Sequence, residues 1–69
     1  MWKVGRCLLR ERLREARMTQ QELASRLNTT KQKVNDYAHG RRPISLELAY
    51  TISLTIGCSI ESLFEWVQE

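Results

Sequence analysis

Residues 20–39, QQELASRLNTTKQKVNDYAH, constrain the fold more than any other stretch of this 69-residue chain. They read as two short helices joined by a tight turn. Leu23, Ala24 and Leu27 fall on one face of a helix with 3.6 residues per turn, and Val34, Tyr37 and Ala38 give the second helix an apolar face of its own. Asn28 stands where the chain must turn sharply, and asparagine tolerates the left-handed backbone that such a turn requires. Ala24 is small enough to let the two helices cross closely.

The second helix keeps a polar face outward: Lys31, Gln32, Lys33, Asn35 and Asp36, with His39 at its end. Amides of Gln and Asn can bond adenine bidentately, and Lys can reach guanine O6 and N7 in the DNA major groove. With TQQELA opening the first of these helices, TTKQKV the second, and HGRR closing it, the chain resembles the Xre/Cro/phage-repressor (lambda repressor-like) helix-turn-helix family. The resemblance runs from about residue 9 to residue 65, through SLELAYTISLTIGCSIESLF, which is similar to that family's fourth and fifth helices. It implies a compact, all-α, five-helix domain with the helix-turn-helix at about residues 20–38. The recognition helix, about 31–38, would enter the major groove of double-stranded DNA.

Length predicts one domain over residues 1–69, near the lower size at which a hydrophobic core suffices without disulfides or metal. No apolar run approaches the ~18 residues that span a bilayer. MWKVGRCLLRER lacks the apolar stretch of a signal peptide, so a cytoplasmic protein with no membrane partner is expected. Cys7 and Cys58 form no CxxC spacing and read as small hydrophobes. His39, the one histidine, cannot complete a zinc site with thiols so far apart, so neither metal nor cofactor is expected. Charge is uneven: residues 1–17 carry +4, residues 18–43 carry +3 and residues 44–69 carry −4. The face offered to a polyanion is therefore not the C-terminal end.

In chain order, Leu9, Leu13 and Ala16 predict a first helix over about residues 4–16, ringed by Arg10, Arg12, Arg14 and Arg17 and supported by pairing with Glu11 and Glu15. Thr19 and Glu22 make a capping box for the second helix. Thr30 caps the third, with Thr29 as an alternative. Lysine in a helix's first turn costs ~0.3–1 kcal/mol, and meeting that cost at both Lys31 and Lys33 favours an anionic partner. Gly40 is a C-cap. Ser45 caps the fourth helix, whose core stripe is Leu48, Ala49, Ile52 and Ile56, with a second apolar stripe of Leu46, Tyr50 and Leu54. Gly57 stops it. Ser59 would cap a last helix bearing Ile60, Leu63, Phe64 and Val67, with Trp66 beside that stripe.

Together with the resemblance, these positions give Lys31, Gln32, Lys33 and Asn35 as candidate base contacts, and Gln20, Thr30, Arg41, Arg42 and Arg14 as candidate phosphate contacts. Tyr50, Leu54 and Trp66 are candidate dimer contacts, although Trp66 can equally cover Trp2 or the first helix. Two departures stand out: RMTQ reads one residue shorter than the family's RGLTQ, and the family's helix-1 arginine to helix-3 glutamate pair would fall on Arg14 and Ala38, which cannot form it.

The function implied is sequence-specific binding of a double-stranded DNA operator by a small bacterial or phage regulator. A Cro-like repressor acting as a homodimer is expected. The alternative is a protein-interaction module or antitoxin-like partner using the acidic, aromatic C-terminal segment. An enzyme is not expected, since the sequence shows no nucleophile with its base, no glycine-rich phosphate loop and no room for a substrate pocket. No small-molecule ligand is evident.

Overall fold

The computed structural model describes residues 1–69. Strand β1 (Trp2–Cys7) leads into α1 (Leu9–Glu15), α2 (Gln20–Arg26), α3 (Lys31–Ala38) and α4 (Leu46–Ile56). A 3₁₀ turn (Ile60–Leu63) and strand β2 (Phe64–Gln68) follow.

The helix-turn-helix is built as the sequence dictates. The Thr19 hydroxyl accepts from the Glu22 N–H, and the Glu22 carboxylate accepts from the Thr19 N–H, each at 3.0 Å. This reciprocal pair satisfies two donors that the first turn of α2 leaves free. Asn28 adopts φ +56°, and the Thr29 N–H then donates to the Ala24 carbonyl at 2.9 Å, closing the turn. Thr30 starts α3 by accepting from the Lys33 N–H, and Ser45 starts α4 by accepting from Leu48. Gly57 ends α4 at φ +88°, a conformation open to glycine without steric cost.

One core joins the helices: Leu9, Leu13, Leu23, Ala24, Val34, Ala38, Ala49, Ile52 and Leu63. Ala24 is fully buried, as a close crossing of α2 and α3 requires. Each fully buried Leu, Ile or Val in this cluster contributes roughly 1.5–3 kcal/mol relative to exposure.

The all-α, five-helix expectation fails at both ends of the chain. Residues 2–7 are a strand rather than the start of the first helix, and residues 64–68 are a strand rather than the end of a fifth. The two pair antiparallel with Trp2 opposite Gln68, Lys3 opposite Val67 and Val4 opposite Trp66, and the register shifts between Val4 and Cys7. In place of a fifth helix stands the one-turn 3₁₀ segment, which Ser59 does not cap through its side chain. Aromatic and β-branched residues in WKVGRC and FEWVQ fit a pleated ribbon better than a helix. Gly5 permits the pairing: a Cβ there would lie 3.1 Å from the Glu65 carbonyl oxygen. Lys3 pairs with Glu69 at 3.2 Å and Arg6 with Glu65 at 3.3 Å, so the basic N-terminal and acidic C-terminal segments partly neutralise each other along the ribbon. Being exposed, these pairs contribute at most about 1 kcal/mol each.

The end of α1 revises the two departures. Arg17 takes φ +56°, the Met18 N–H donates to the Leu13 carbonyl at 3.0 Å, and α2 starts on schedule. Arginine thus stands in the place of the glycine of RGLTQ, and the connection is not shortened. Removing that one-residue offset moves the position of the family's helix-1 arginine from Arg14 to Leu13. Leu13 and Ala38 are both buried, so apolar packing replaces the ion pair as a unit, an exchange that is often neutral or stabilising.

Two stability changes follow, both measurable by thermal unfolding followed by circular dichroism. Thr19→Ala, which breaks the capping box, lowers stability by about 1 kcal/mol and Tm by about 4–8 °C. Arg17→Gly, which relieves a left-handed arginine, raises stability by about 0.5–1 kcal/mol.

Candidate nucleic-acid interface

The first turn of α3 displays Lys31, Gln32 and Lys33, all exposed, because Val34 and Ala38 turn the opposite side of the helix into the core. Neither lysine forms an ion pair. Four of the eleven Lys/Arg residues do: Lys3, Arg6, Arg12 and Arg41. The uncompensated cations therefore include Lys31 and Lys33 on α3, Arg42 in the loop that follows it, and Arg14 on α1.

Behind the displayed turn lies a polar network that ties three elements together. The Asn35 amide donates to Gln20 Oε1 at 3.2 Å, linking α3 to the first turn of α2. Arg41 Nη2 donates to Asn35 Oδ1 at 2.6 Å, and Arg41 Nε donates to Asp36 Oδ1 at 3.0 Å. Gln32 Nε2 donates to the same Asp36 oxygen at 3.1 Å. A carboxylate gripping a guanidinium and an amide fixes both, at the loop and on the outer face of α3.

The hydrogen bond from Arg41 holds the Asp36 carboxyl below its ordinary value of 3.8, with the Gln32 amide and the charges of Arg41 and Arg42 adding to it. Glu22 is likewise lowered, chiefly by the Thr19 N–H that it accepts in the capping box.

The candidate residues thus divide by what already holds them. Lys31, Lys33, Arg42 and Arg14 are exposed and outside any ion pair. Gln32 retains its carbonyl oxygen and one amide hydrogen beyond the bond to Asp36, the pair of groups that adenine recognition uses. Gln20 and Asn35 are half-buried and bonded to each other, and Thr30 is occupied as the α3 cap. The structure brings Gln20, Asn35 and Arg41 into one network and leaves Arg14 out of it, while Asp36 is held by Arg41 and Gln32. The expected pairing of Glu15 with an arginine of α1 falls on Arg12, whose Nη1 contacts it at 2.7 Å. The further role of Arg12 has no local signal in the sequence: its Nε donates to the Ser62 carbonyl, fifty residues away, at 2.9 Å, fastening α1 to the 3₁₀ turn.

Of the candidate dimer contacts, Tyr50 and Leu54 stand on the outer face of α4, 57% and 66% exposed, in line with Leu46 at 78%. Trp66 lies on β2 rather than on a helix, 44% exposed, stacked edge-on to Phe64 and donating its indole N–H to the Glu61 carbonyl at 2.7 Å. Cys7 and Cys58 are half-buried free thiols. No helix is long and apolar enough to cross a membrane.

A helix-turn-helix family model matches residues 9–63, which is α1 through the 3₁₀ turn. The chain belongs to the Xre/lambda repressor-like helix-turn-helix family. It is also 33% identical over 66 residues to the SPbeta prophage-derived uncharacterized HTH-type transcriptional regulator YotL of Bacillus subtilis (strain 168), a similarity covering 94% of this chain and 82% of that protein. DNA binding and transcription regulation are the properties of this helix-turn-helix family, and its partner is double-stranded DNA. The matched region stops where β2 begins, so the ribbon lies outside it.

The sign of the Asp36 shift fixes a pH dependence. A carboxyl held low in the folded state supports that state above its unfolded value and loses the contribution as pH falls through the lower folded value. In a carboxyl-detected NMR titration Asp36 protonates below 3.8, and Arg41→Ala moves its titration upward toward that value.

Proposed function

We propose that this protein is a sequence-specific, double-stranded DNA-binding regulator, a small bacterial or phage repressor of the Cro-like kind, working in the cytoplasm as a single domain with no chemistry or cofactor of its own. The observation that carries the proposal is the turn displaying Lys31, Gln32 and Lys33, uncompensated and exposed, on a helix whose other face is locked into the core. Lys31, Gln32 and Lys33 read base edges. Asn35, bonded to both Gln20 and Arg41, acts first as the strut that sets their positions, and meets a base with the amide hydrogen and carbonyl lone pair those two bonds leave free. Arg41, Arg42, Gln20, Thr30 and Arg14 meet phosphates on either side of the groove. Occupying an operator in this way blocks polymerase.

The exposed stripe of Tyr50 and Leu54, with Trp66, supports a homodimer on DNA. Two inverted half-sites then lie about one helical turn, roughly 10 base pairs, apart. The same stripe favours the second reading, a protein-interaction module or antitoxin-like partner that binds through α4. Salt separates the two: counterion release makes DNA binding fall steeply with ionic strength, whereas an apolar protein interface hardly responds.

Fluorescence anisotropy on a selected operator tests the assignment. Gln32→Ala or Lys33→Ala costs about 1–3 kcal/mol and relaxes specificity at one base. Arg42→Ala weakens all sequences alike and reduces the salt slope by about one. Equal, sequence-independent losses from both kinds of change contradict the reading.

A further inference from the structure

One carboxylate oxygen joins the two halves of the proposed interface. Asp36 Oδ1 accepts from Gln32 Nε2 at 3.1 Å and from Arg41 Nε at 3.0 Å, so a side chain placed to read a base and one placed to meet a phosphate share a single acceptor. Gln32 and Asp36 stand one turn apart on α3, the spacing at which an amide and a carboxylate meet on a helix face. The chemistry of Asp36 decides which way the Gln32 amide faces. Its carboxyl is held below its ordinary value, chiefly by the hydrogen bond from Arg41, so it is ionised at neutral pH and can only accept. The amide nitrogen of Gln32 must therefore face Asp36, since the reversed amide would set two oxygens against each other. One of its two amide hydrogens is taken by that bond. Gln32 still offers one hydrogen and its carbonyl oxygen. Adenine presents an acceptor, N7, beside a donor, N6–H, and matches this pair; guanine presents two acceptors, N7 and O6, and calls for both amide hydrogens.

We propose that Asp36 is a specificity-determining residue that meets no base itself: by holding one amide hydrogen of Gln32, it sets that side chain to accept adenine and to refuse guanine. The inference rests on the DNA-binding reading and narrows it. Released from Asp36, Gln32 turns its amide freely and offers both hydrogens to guanine. Arg41 steadies Asp36 from the side of the loop, but the bond between Gln32 and Asp36 needs only residues of α3. Base selection and phosphate anchoring therefore separate when either partner of Asp36 is removed.

The test measures, by fluorescence anisotropy at fixed salt, binding of the full chain to a selected operator and to its partner duplex. In that duplex the A·T pair whose preference depends on Gln32, as located with Gln32→Ala, is replaced by G·C. The wild type is expected to favour adenine there by about tenfold or more, the scale of one bidentate base contact. Asp36→Ala reduces that ratio about tenfold, and does so because guanine binding strengthens relative to adenine binding. Asp36→Asn, which can accept or donate, falls between the two. Loss of a negative charge beside the phosphates strengthens both duplexes alike, and a merely structural role weakens both alike, so neither moves the ratio. Arg41→Ala lowers affinity for both and keeps the ratio. Asp36 lies outside the core cluster, and unchanged circular dichroism confirms that the variants fold. An unchanged ratio in both Asp36 variants, a ratio lost only through weaker adenine binding, or a wild type that favours guanine at the Gln32 pair would overturn the proposal while leaving DNA recognition in place. A wild type with no base preference at any pair would overturn the DNA-binding reading and this inference with it, a result visible without any Asp36 variant.

Discussion

The packing of α2 against α3 is the constraint on which the rest of the structure depends. Leu23, Ala24 and Val34 are all fully buried in the one core that α2 and α3 share. Close-packed protein interiors respond to a change of one methylene, so these residues set how α3 sits on the body. Everything the outer face of α3 can do follows from that placement. The Asn28 turn makes the placement possible, and the Asn35 to Gln20 bond sets it again from outside the core.

Electrostatics then specialises the frame. Two lysines at the positive end of a helix dipole are a local conflict, and no acidic side chain relieves it. Asp36, the acid on α3, faces Arg41 and Gln32 instead. The acidic C-terminal segment is drawn to Lys3 and Arg6 on the ribbon, so it neither covers nor neutralises the lysines of α3. Charge that looked segregated along the sequence is thus sorted in space: balanced along the ribbon, uncompensated at the helix-turn-helix.

What could be read from the sequence was local. The Thr19 capping box, the Asn28 turn, the Thr30 and Ser45 caps, the α4 stop at Gly57 and the two stripes of α4 each depend on residues within a few positions, and each is present. The ribbon was not legible because its pairing joins residues 2–7 to residues 64–68, and no local signal reports a partner that distant. Ile60, Leu63, Phe64 and Val67 fit a helical period by coincidence, while FEWVQ is short enough to satisfy strand and helix templates alike. At the interface, the Gln32–Asp36 spacing was visible, but the grip of Asp36 and Asn35 on Arg41 required the loop geometry. Arg17 shows the same limit, since a left-handed arginine in a glycine's place reads as a missing residue until the backbone is seen.

The most direct test of the central claim, that α3 is held out to read DNA bases, is selection of bound duplexes from a random pool at ~150 mM salt, where screening suppresses purely ionic attraction. The account predicts enrichment of one motif, with inverted half-sites about one helical turn apart. A pool that stays random, with binding that vanishes as salt rises, would contradict it and would reduce the basic face of α3 to a non-specific polyanion surface.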